Sequence, residues 1–166
     1  DGRKYVGSWV DGQKQGQGTF TWPSGDKYEG GYQAGKKHGQ GTMTCVDGSI
    51  YKGEFQAGQK HGQGTCVFAS GATYEGGWKD GKPHGQGTGL FADGVTYVGG
   101  HQKGRLHGQG TMTWPNGATY EGEYQKGMPR GKGRYTVGNN EMIFAKGSTY
   151  GPVAMFGLSF LGLRQV

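Results

Sequence analysis

Apolar and polar positions alternate along this chain in short bursts, and the bursts recur at a fixed interval. Tyrosine stands at Tyr5, Tyr28, Tyr51, Tyr74, Tyr97 and Tyr120, an unbroken 23-residue step. Counting from each tyrosine as position zero, glycine fills +2, and +4 is aromatic in Trp9, Tyr32, Phe55, Trp78 and Tyr124, with His101 the exception. Positions +1 and +3 carry mostly small, polar or charged residues such as Glu29, Lys52 and Glu75. Zero, +2 and +4 therefore share one face of a strand whose opposite face is polar. A second strand is predicted over +13 to +17, as in Gly18-Thr-Phe-Thr-Trp22, with apolar residues at +15 and +17 and threonines between them. Ser24-Gly25, Asp47-Gly48, Ser70-Gly71, Asp93-Gly94 and Asn116-Gly117 then supply tight turns to the next tyrosine. The expected fold is all-β, an elongated single-layer array of antiparallel β-hairpins. Two strands per unit at about 4.8 Å give about 10 Å per repeat and about 60 Å for six.

Composition sharpens this picture. Glycine accounts for 39 of 166 residues, far above the roughly 7% of average usage. Val, Leu, Ile and Phe are too scarce for a thick core, and disorder would be the reading if the repeat did not overrule it. Glycine also recurs at +7, +11, +13 and +20, so most of it is punctuation in register with the tyrosines. Glycine at +2 and +13 is expected to let neighbouring rings lie flat over bare backbone, leaving a thin aromatic layer as the core.

The run Tyr28-Glu-Gly-Gly-Tyr-Gln-Ala-Gly-Lys-Lys-His-Gly-Gln-Gly41 resembles the membrane occupation and recognition nexus (MORN) repeat, and six in-phase copies cover residues 1–137. The Gly-(Lys/Arg)-x-His-Gly-Gln-Gly-Thr stretches are locally most similar to radial spoke head members. The resemblance implies a scaffold or docking surface in cytoskeletal or ciliary assemblies. It implies no catalysis, since enzymes bearing such repeats carry their chemistry in other domains. Asp1-Gly2 falls at +19 and +20 of a missing unit, so the chain is expected to start mid-repeat within a longer array. The rule fails after Val137, where Ile143 stands at the seventh tyrosine position, and 138–166 reads as a degenerate C-terminal cap or partner-docking tail.

Candidate chemistry is sparse. The interval +6 to +10 reads as the loop joining the two strands of a unit, and it gathers cations including Lys14, Lys36, Lys37, Lys60, Lys82, Arg105 and Arg130. Such an edge either meets anionic phospholipid, helped by the apolar tail Phe156 to Leu163, or keeps an exposed sheet rim soluble. His38, His61, His84 and His107 all occupy +10, but rungs about 10 Å apart cannot share one metal ion. Near-matches to a phosphate loop at Gly30 and Gly76 lack the terminal Ser or Thr and a following helix. Cys45 and Cys66 sit in hydrophobic slots, and two such cysteines fit a reducing compartment. No metal, cofactor or catalytic constellation is expected, and nucleic acid is disfavoured because the rings are needed for packing.

The expected function is a non-catalytic scaffold that receives a partner's helix or extended segment on its aromatic face. The residues expected to grip it are Tyr28, Tyr32, Tyr51, Phe55, Tyr74, Trp78, Tyr97 and Tyr120. Open sheet ends make a dimer a further expectation. The expected setting is cytoplasmic and cytoskeletal, at the axoneme of a cilium or flagellum.

Overall fold

In the computed structural model, which describes residues 2–145, thirteen strands form one open antiparallel sheet in strict sequence order. They are β1 (Lys4–Val10), β2 (Gln13–Thr21), β3 (Lys27–Gln33), β4 (Lys36–Thr44), β5 (Ile50–Gln56), β6 (Gln59–Val67) and β7 (Thr73–Lys79). The series continues with β8 (Lys82–Leu90), β9 (Thr96–Gln102), β10 (Arg105–Thr113), β11 (Thr119–Gln125), β12 (Met128–Val137) and β13 (Asn140–Phe144). The described residues contain no helix, and each strand bonds only to its sequence neighbours.

The second strand of each unit is longer than the pattern suggests, and the reason is the turn. Asp11, Ala34, Ala57, Asp80, Lys103 and Lys126 have φ between 47° and 54°, and the glycine after each is also at positive φ. Two consecutive positive φ values make a two-residue primed turn, whose twist matches the flanking strands. Gln33 pairs directly with Lys36 around Ala34-Gly35. The interval +6 to +10 is therefore no loop: only +6 and +7 turn, and +8 to +10 already belong to the strand. The amide of the turn glycine also donates to the preceding hairpin, as in Gly35 N to Lys14 O at 3.0 Å and Gly58 N to Lys37 O at 2.9 Å.

Register puts zero opposite +15 and +2 opposite +13, so Tyr28 faces both Phe20 and Met43, and Gly30 faces both Gly18 and Gly41. The glycine floor is real. A methyl at Gly41 would sit 2.5 Å from the Tyr28 hydroxyl oxygen, and the same clash recurs at Gly18, Gly64, Gly87 and Gly110 with their own tyrosines. The ring lies across its hairpin, and its hydroxyl donates to the +3 carbonyl: Tyr28 to Gly31 O, Tyr74 to Gly77 O and Tyr97 to Gly100 O, each at 3.0 Å.

At the C-terminal end β13 adds one more strand, in a shifted register. Met142, not Ile143, pairs with Tyr135 and so takes the tyrosine slot, because the connection through Gly138-Asn139 is one residue shorter than in the other units. Phe144 then occupies the glycine column and packs on Tyr120 at a centroid distance of 6.4 Å. A ring in place of the floor glycine closes the aromatic layer. The tail Phe156 to Leu163 lies outside the described residues.

Candidate functional site

The aromatic face is built from columns that run across the strands. The central column holds the rings at zero and +4, which interlock edge to face from hairpin to hairpin. Trp9, Tyr5, Tyr32, Tyr28, Phe55, Tyr51, Trp78, Tyr74, His101, Tyr97, Tyr124, Tyr120 and Phe144 form one continuous chain of contacts, with centroids 4.8–6.4 Å apart. Each edge-to-face pair contributes about 0.5–1.5 kcal/mol beyond area burial. His101, the one residue at +4 that is not Tyr, Phe or Trp, contributes its imidazole ring. Its Nδ1 lies 3.2 Å from Gly99 O, and burial holds its pKa below the ordinary value, with that hydrogen bond partly offsetting the shift.

The eight residues expected to grip a partner, Tyr28, Tyr32, Tyr51, Phe55, Tyr74, Trp78, Tyr97 and Tyr120, are all brought together in this column. Every one is at most 5% exposed. Burial pushes the phenols of Tyr28, Tyr74 and Tyr97 up to about 12, and those of Tyr32 and Tyr51 up as well, with smaller contributions from neighbouring groups. Trp78 Nε1 donates to Gly64 O at 3.0 Å. Their packing role is thus visible, and a molecule arriving on this face meets the side chains that stand over and beside them.

Those side chains form two flanking columns. On one side lies +17, with Trp22, Cys45, Phe68, Phe91, Trp114 and Val137, of which Phe68 and Phe91 are 40% and 41% exposed. On the other lies +9, where Lys14, Lys37 and Lys60 give way to Pro83, Leu106 and Pro129. The three lysines do not point out along a loop edge. +9 pairs with +4, as in Tyr32 with Lys37 and Phe55 with Lys60, which turns each stem over the rings. Lys14 Nζ lies 3.9 Å from the Phe20 centroid, Lys37 Nζ 4.8 Å from Trp22 and 5.0 Å from Tyr28, and Lys60 Nζ 4.7 Å from Tyr51 and 4.9 Å from Trp78. Burial lowers the pKa of Lys14 and Lys37.

The lipid edge expected from the sequence therefore divides. Lys14, Lys37 and Lys60 belong to the aromatic face, whereas Lys36, Lys82, Arg105 and Arg130 remain exposed towards the turn edge. There a shallow cavity of about 470 Å³ is lined by Lys82, Gln102, Lys103, Arg105, His107 and Lys126, with no carboxylate among the described residues of its wall. The sequence reading places Lys82, Lys103, Arg105 and Lys126 together on one basic edge, and the structure gathers these four, from three successive repeats, around one cavity. The histidine column has a backbone role: His38 O, His84 O and His107 O lie where a side chain at Gly31, Gly77 or Gly100 would have to go, within 2.2 Å of the added methyl. Among the described residues no group of three metal-ligating side chains comes together, and no helix is long and apolar enough to cross a membrane.

The opposite face carries the threonines in a cross-strand row with charged residues, Thr19, Glu29, Thr42, Lys52, Thr65 and Glu75 in successive strands. That face is mainly polar, with Val6, Ile50, Val67, Leu90 and Val98 exposed among the threonines and charges, and it carries none of the interlocking rings.

The MORN repeat family model matches residues 5–27, 28–50, 51–73, 74–96, 97–119 and 120–149. The chain belongs to the MORN-repeat family. No curated protein sequence matches it. Among solved structures, the chain is similar to the TCP domain of Drosophila melanogaster SAS-4 in complex with a proline-rich motif of Ana2, at 9% identity over 87% of this chain and 90% of that one, with a TM-score of 0.36. The TCP10 domain of Danio rerio CPAP is matched at 11% identity over 78% of this chain and 67% of that one, with a TM-score of 0.40. A MORN array of six hairpins fits a protein-binding scaffold.

Proposed function

We propose that this MORN array is a non-catalytic structural scaffold that docks a helix or extended segment of a protein partner lengthwise along its aromatic face. The observation that carries the reading is the half-exposed apolar column at +17 beside a continuous ring layer, on a single sheet with no second layer over it among the described residues. Aromatic residues that stay partly open beside a rigid floor are the kind of anchor that dominates protein interfaces. The local likeness of the Gly-(Lys/Arg)-x-His-Gly-Gln-Gly-Thr stretches to radial spoke head proteins supports a cytoskeletal, ciliary setting.

The test is affinity purification of the tagged chain from its own cells in moderate salt, with mass spectrometry of what co-purifies in fixed ratio. Two controls accompany it: Phe91→Ser with Leu106→Ser on the aromatic face, and Val98→Ser on the opposite one. A stoichiometric cytoskeletal protein lost only with the aromatic-face variant supports the proposal. Retention by that variant overturns it.

The carboxylate-free cavity at Lys82, Arg105 and Lys126 favours a second reading, attachment to an anionic phospholipid surface through the turn edge. Co-sedimentation with phosphatidylserine vesicles at low salt, lost when those three cations are replaced, is its signature. Absence of sedimentation dismisses it.

A further inference from the structure

We infer that the partner segment differs between its two halves, acidic where it lies over Lys14, Lys37 and Lys60 and apolar where it lies over Pro83, Leu106 and Pro129. This inference rests on the docking reading above and adds the partner's chemistry and direction.

The starting observation is that one column changes character half-way along the array. At +9 the first three units carry an ammonium on the aromatic face and the last three carry none. A second column changes in step. The residue two before each tyrosine runs Asp26, Ser49, Ala72, Val95, Ala118, and Val95 and Ala118 are buried. These two columns are therefore polar or cationic over repeats 1–3 and apolar over repeats 4–6, where Leu106 packs against the buried cluster of Val95, Tyr97, Met112, Tyr120 and Tyr124.

The three ammonium groups have ring faces rather than carboxylates around them. Lys14 Nζ lies over Tyr5, Phe20 and Tyr32, and Lys37 Nζ over Trp22, Tyr28 and Phe55, all within 5.7 Å of a centroid. Lys37 Nζ also reaches the Met43 sulfur at 3.8 Å. Asp26, a carboxylate at the rim, is engaged by the Val46 amide at 2.8 Å and the Ser24 hydroxyl at 2.7 Å. A cation stripped of part of its water on a ring surface gains more from an arriving carboxylate than an exposed one does, because the local dielectric is low. Rings alone do not require the charge: Pro83 and Leu106 cover the same column without it.

The repeat fixes the spacing of the matching acids. Lysines one unit apart stand about 10 Å apart, since two strand separations make one unit. Carboxylates recur at about that distance, on one side of the segment, every third residue of an extended polyproline II conformation or every seventh residue of a helix. An acidic stretch placed over repeats 4–6 would instead bury its charges against proline and leucine at a cost, so the gradient sets which way round the segment lies.

The test uses two 21-residue probe peptides, one with glutamate at every third position and one at every seventh, each paired with its glutamine counterpart. Binding to the purified chain is read by fluorescence anisotropy at low and moderate salt. Two variants of equal net charge are compared: Lys14→Met with Lys37→Met and Lys60→Met, which keeps the ring cover, and Lys82→Met with Arg105→Met and Lys126→Met at the turn edge. The inference expects a glutamate probe to bind, its glutamine partner to bind roughly tenfold or more weakly, and only the face variant to lose that margin. It is overturned if neither glutamate probe binds, if glutamine serves as well, or if the edge variant loses as much as the face variant. Far-UV circular dichroism identical to wild type confirms that the face variant is folded. Should the co-purifying partner be lost with Phe91→Ser and Leu106→Ser yet retained by the face lysine variant, the docking reading stands and this one falls.

Discussion

Two glycines of one strand, two residues apart and on the same face, should respond to alanine with opposite signs. In β8, Gly87 lies under the Tyr74 ring, and an added methyl would stand 2.4 Å from its hydroxyl oxygen and 2.6 Å from Cε2. Tyr74 cannot lift without breaking its hydrogen bond to Gly77 O and its edge contacts with Trp78 at 5.3 Å and His101 at 4.8 Å. Overpacking a filled site costs about 1–3 kcal/mol, and a buried hydroxyl left unpaired about 1–3 more. Gly87→Ala is therefore expected to destabilise by about 3 kcal/mol. Gly89 sits between Tyr74 and Tyr97 in the neighbouring column, where Phe20, Met43 and Cys66 stand in the earlier units, and an added methyl meets nothing closer than Thr73 O at 3.8 Å. Its φ is not positive, so Gly89→Ala removes only the entropy cost of glycine in a strand and stabilises by about 0.5–1 kcal/mol. Equilibrium urea unfolding followed by tryptophan fluorescence reads both. The ring-over-glycine account is refuted if Gly87→Ala stays within about 1 kcal/mol of wild type, or if Gly89→Ala loses as much as Gly87→Ala.

Removing hydroxyls along the tyrosine column should divide it. Tyr74→Phe loses a bond to Gly77 O and about 1 kcal/mol, whereas Tyr120, whose buried hydroxyl has no partner among the described residues, is unharmed or stabilised by Tyr120→Phe under the same denaturant assay. Trp78→Ala removes a ring that bridges Tyr51 and Tyr74 and should cost about 3–5 kcal/mol, measured by the same unfolding curves. Alkali should unfold the sheet through its phenols. Tyr28, Tyr74 and Tyr97 hold their protons to about 12 when folded, so their contribution is complete below the ordinary phenol value near 10 and is lost as the pH rises towards 12. Phenolate absorbance from these tyrosines should rise only together with loss of the β signal in circular dichroism. Full ionisation near pH 10 with the sheet intact would contradict this.

The period, the strand faces and the glycine floor were legible because they are one-dimensional facts: a 23-residue step and a two-residue alternation leave few alternatives. The turn was harder. Asp11-Gly12 and Asp80-Gly81 carry the dipeptide of a primed two-residue turn, but Ala34-Gly35 and Ala57-Gly58 do not, and an averaged reading of the six units spread the turn over five positions. That error moved Lys14, Lys37 and Lys60 to an edge, because a strand starting at +8 rather than +13 is what turns +9 onto the ring face. The clue was in the column itself, since Pro83, Leu106 and Pro129 are odd company for solvated lysines. At β13 a connection one residue shorter moved Met142 into register, a shift that counting from the last tyrosine cannot reveal. The rings looked alike in sequence whether they pack or grip, and, beyond the exposed Trp9 of the first strand, only burial distinguishes zero and +4 from +17.

A sheet whose strands follow one another without a single crossover has a mechanical character. Its interstrand hydrogen bonds run along the row of repeats, not across it, so a pull on the two ends of the row loads every strand boundary in series and in the direction in which the bonds break one after another. Among the described residues no distant strand shares the load. One peeled repeat of 23 residues would release about 80 Å of extended chain in place of about 10 Å of sheet, a lengthening of about 70 Å. An assembly that anchors both ends of such a row holds a stack of equal extensible links, and a segment laid along the ring column would splint those links together.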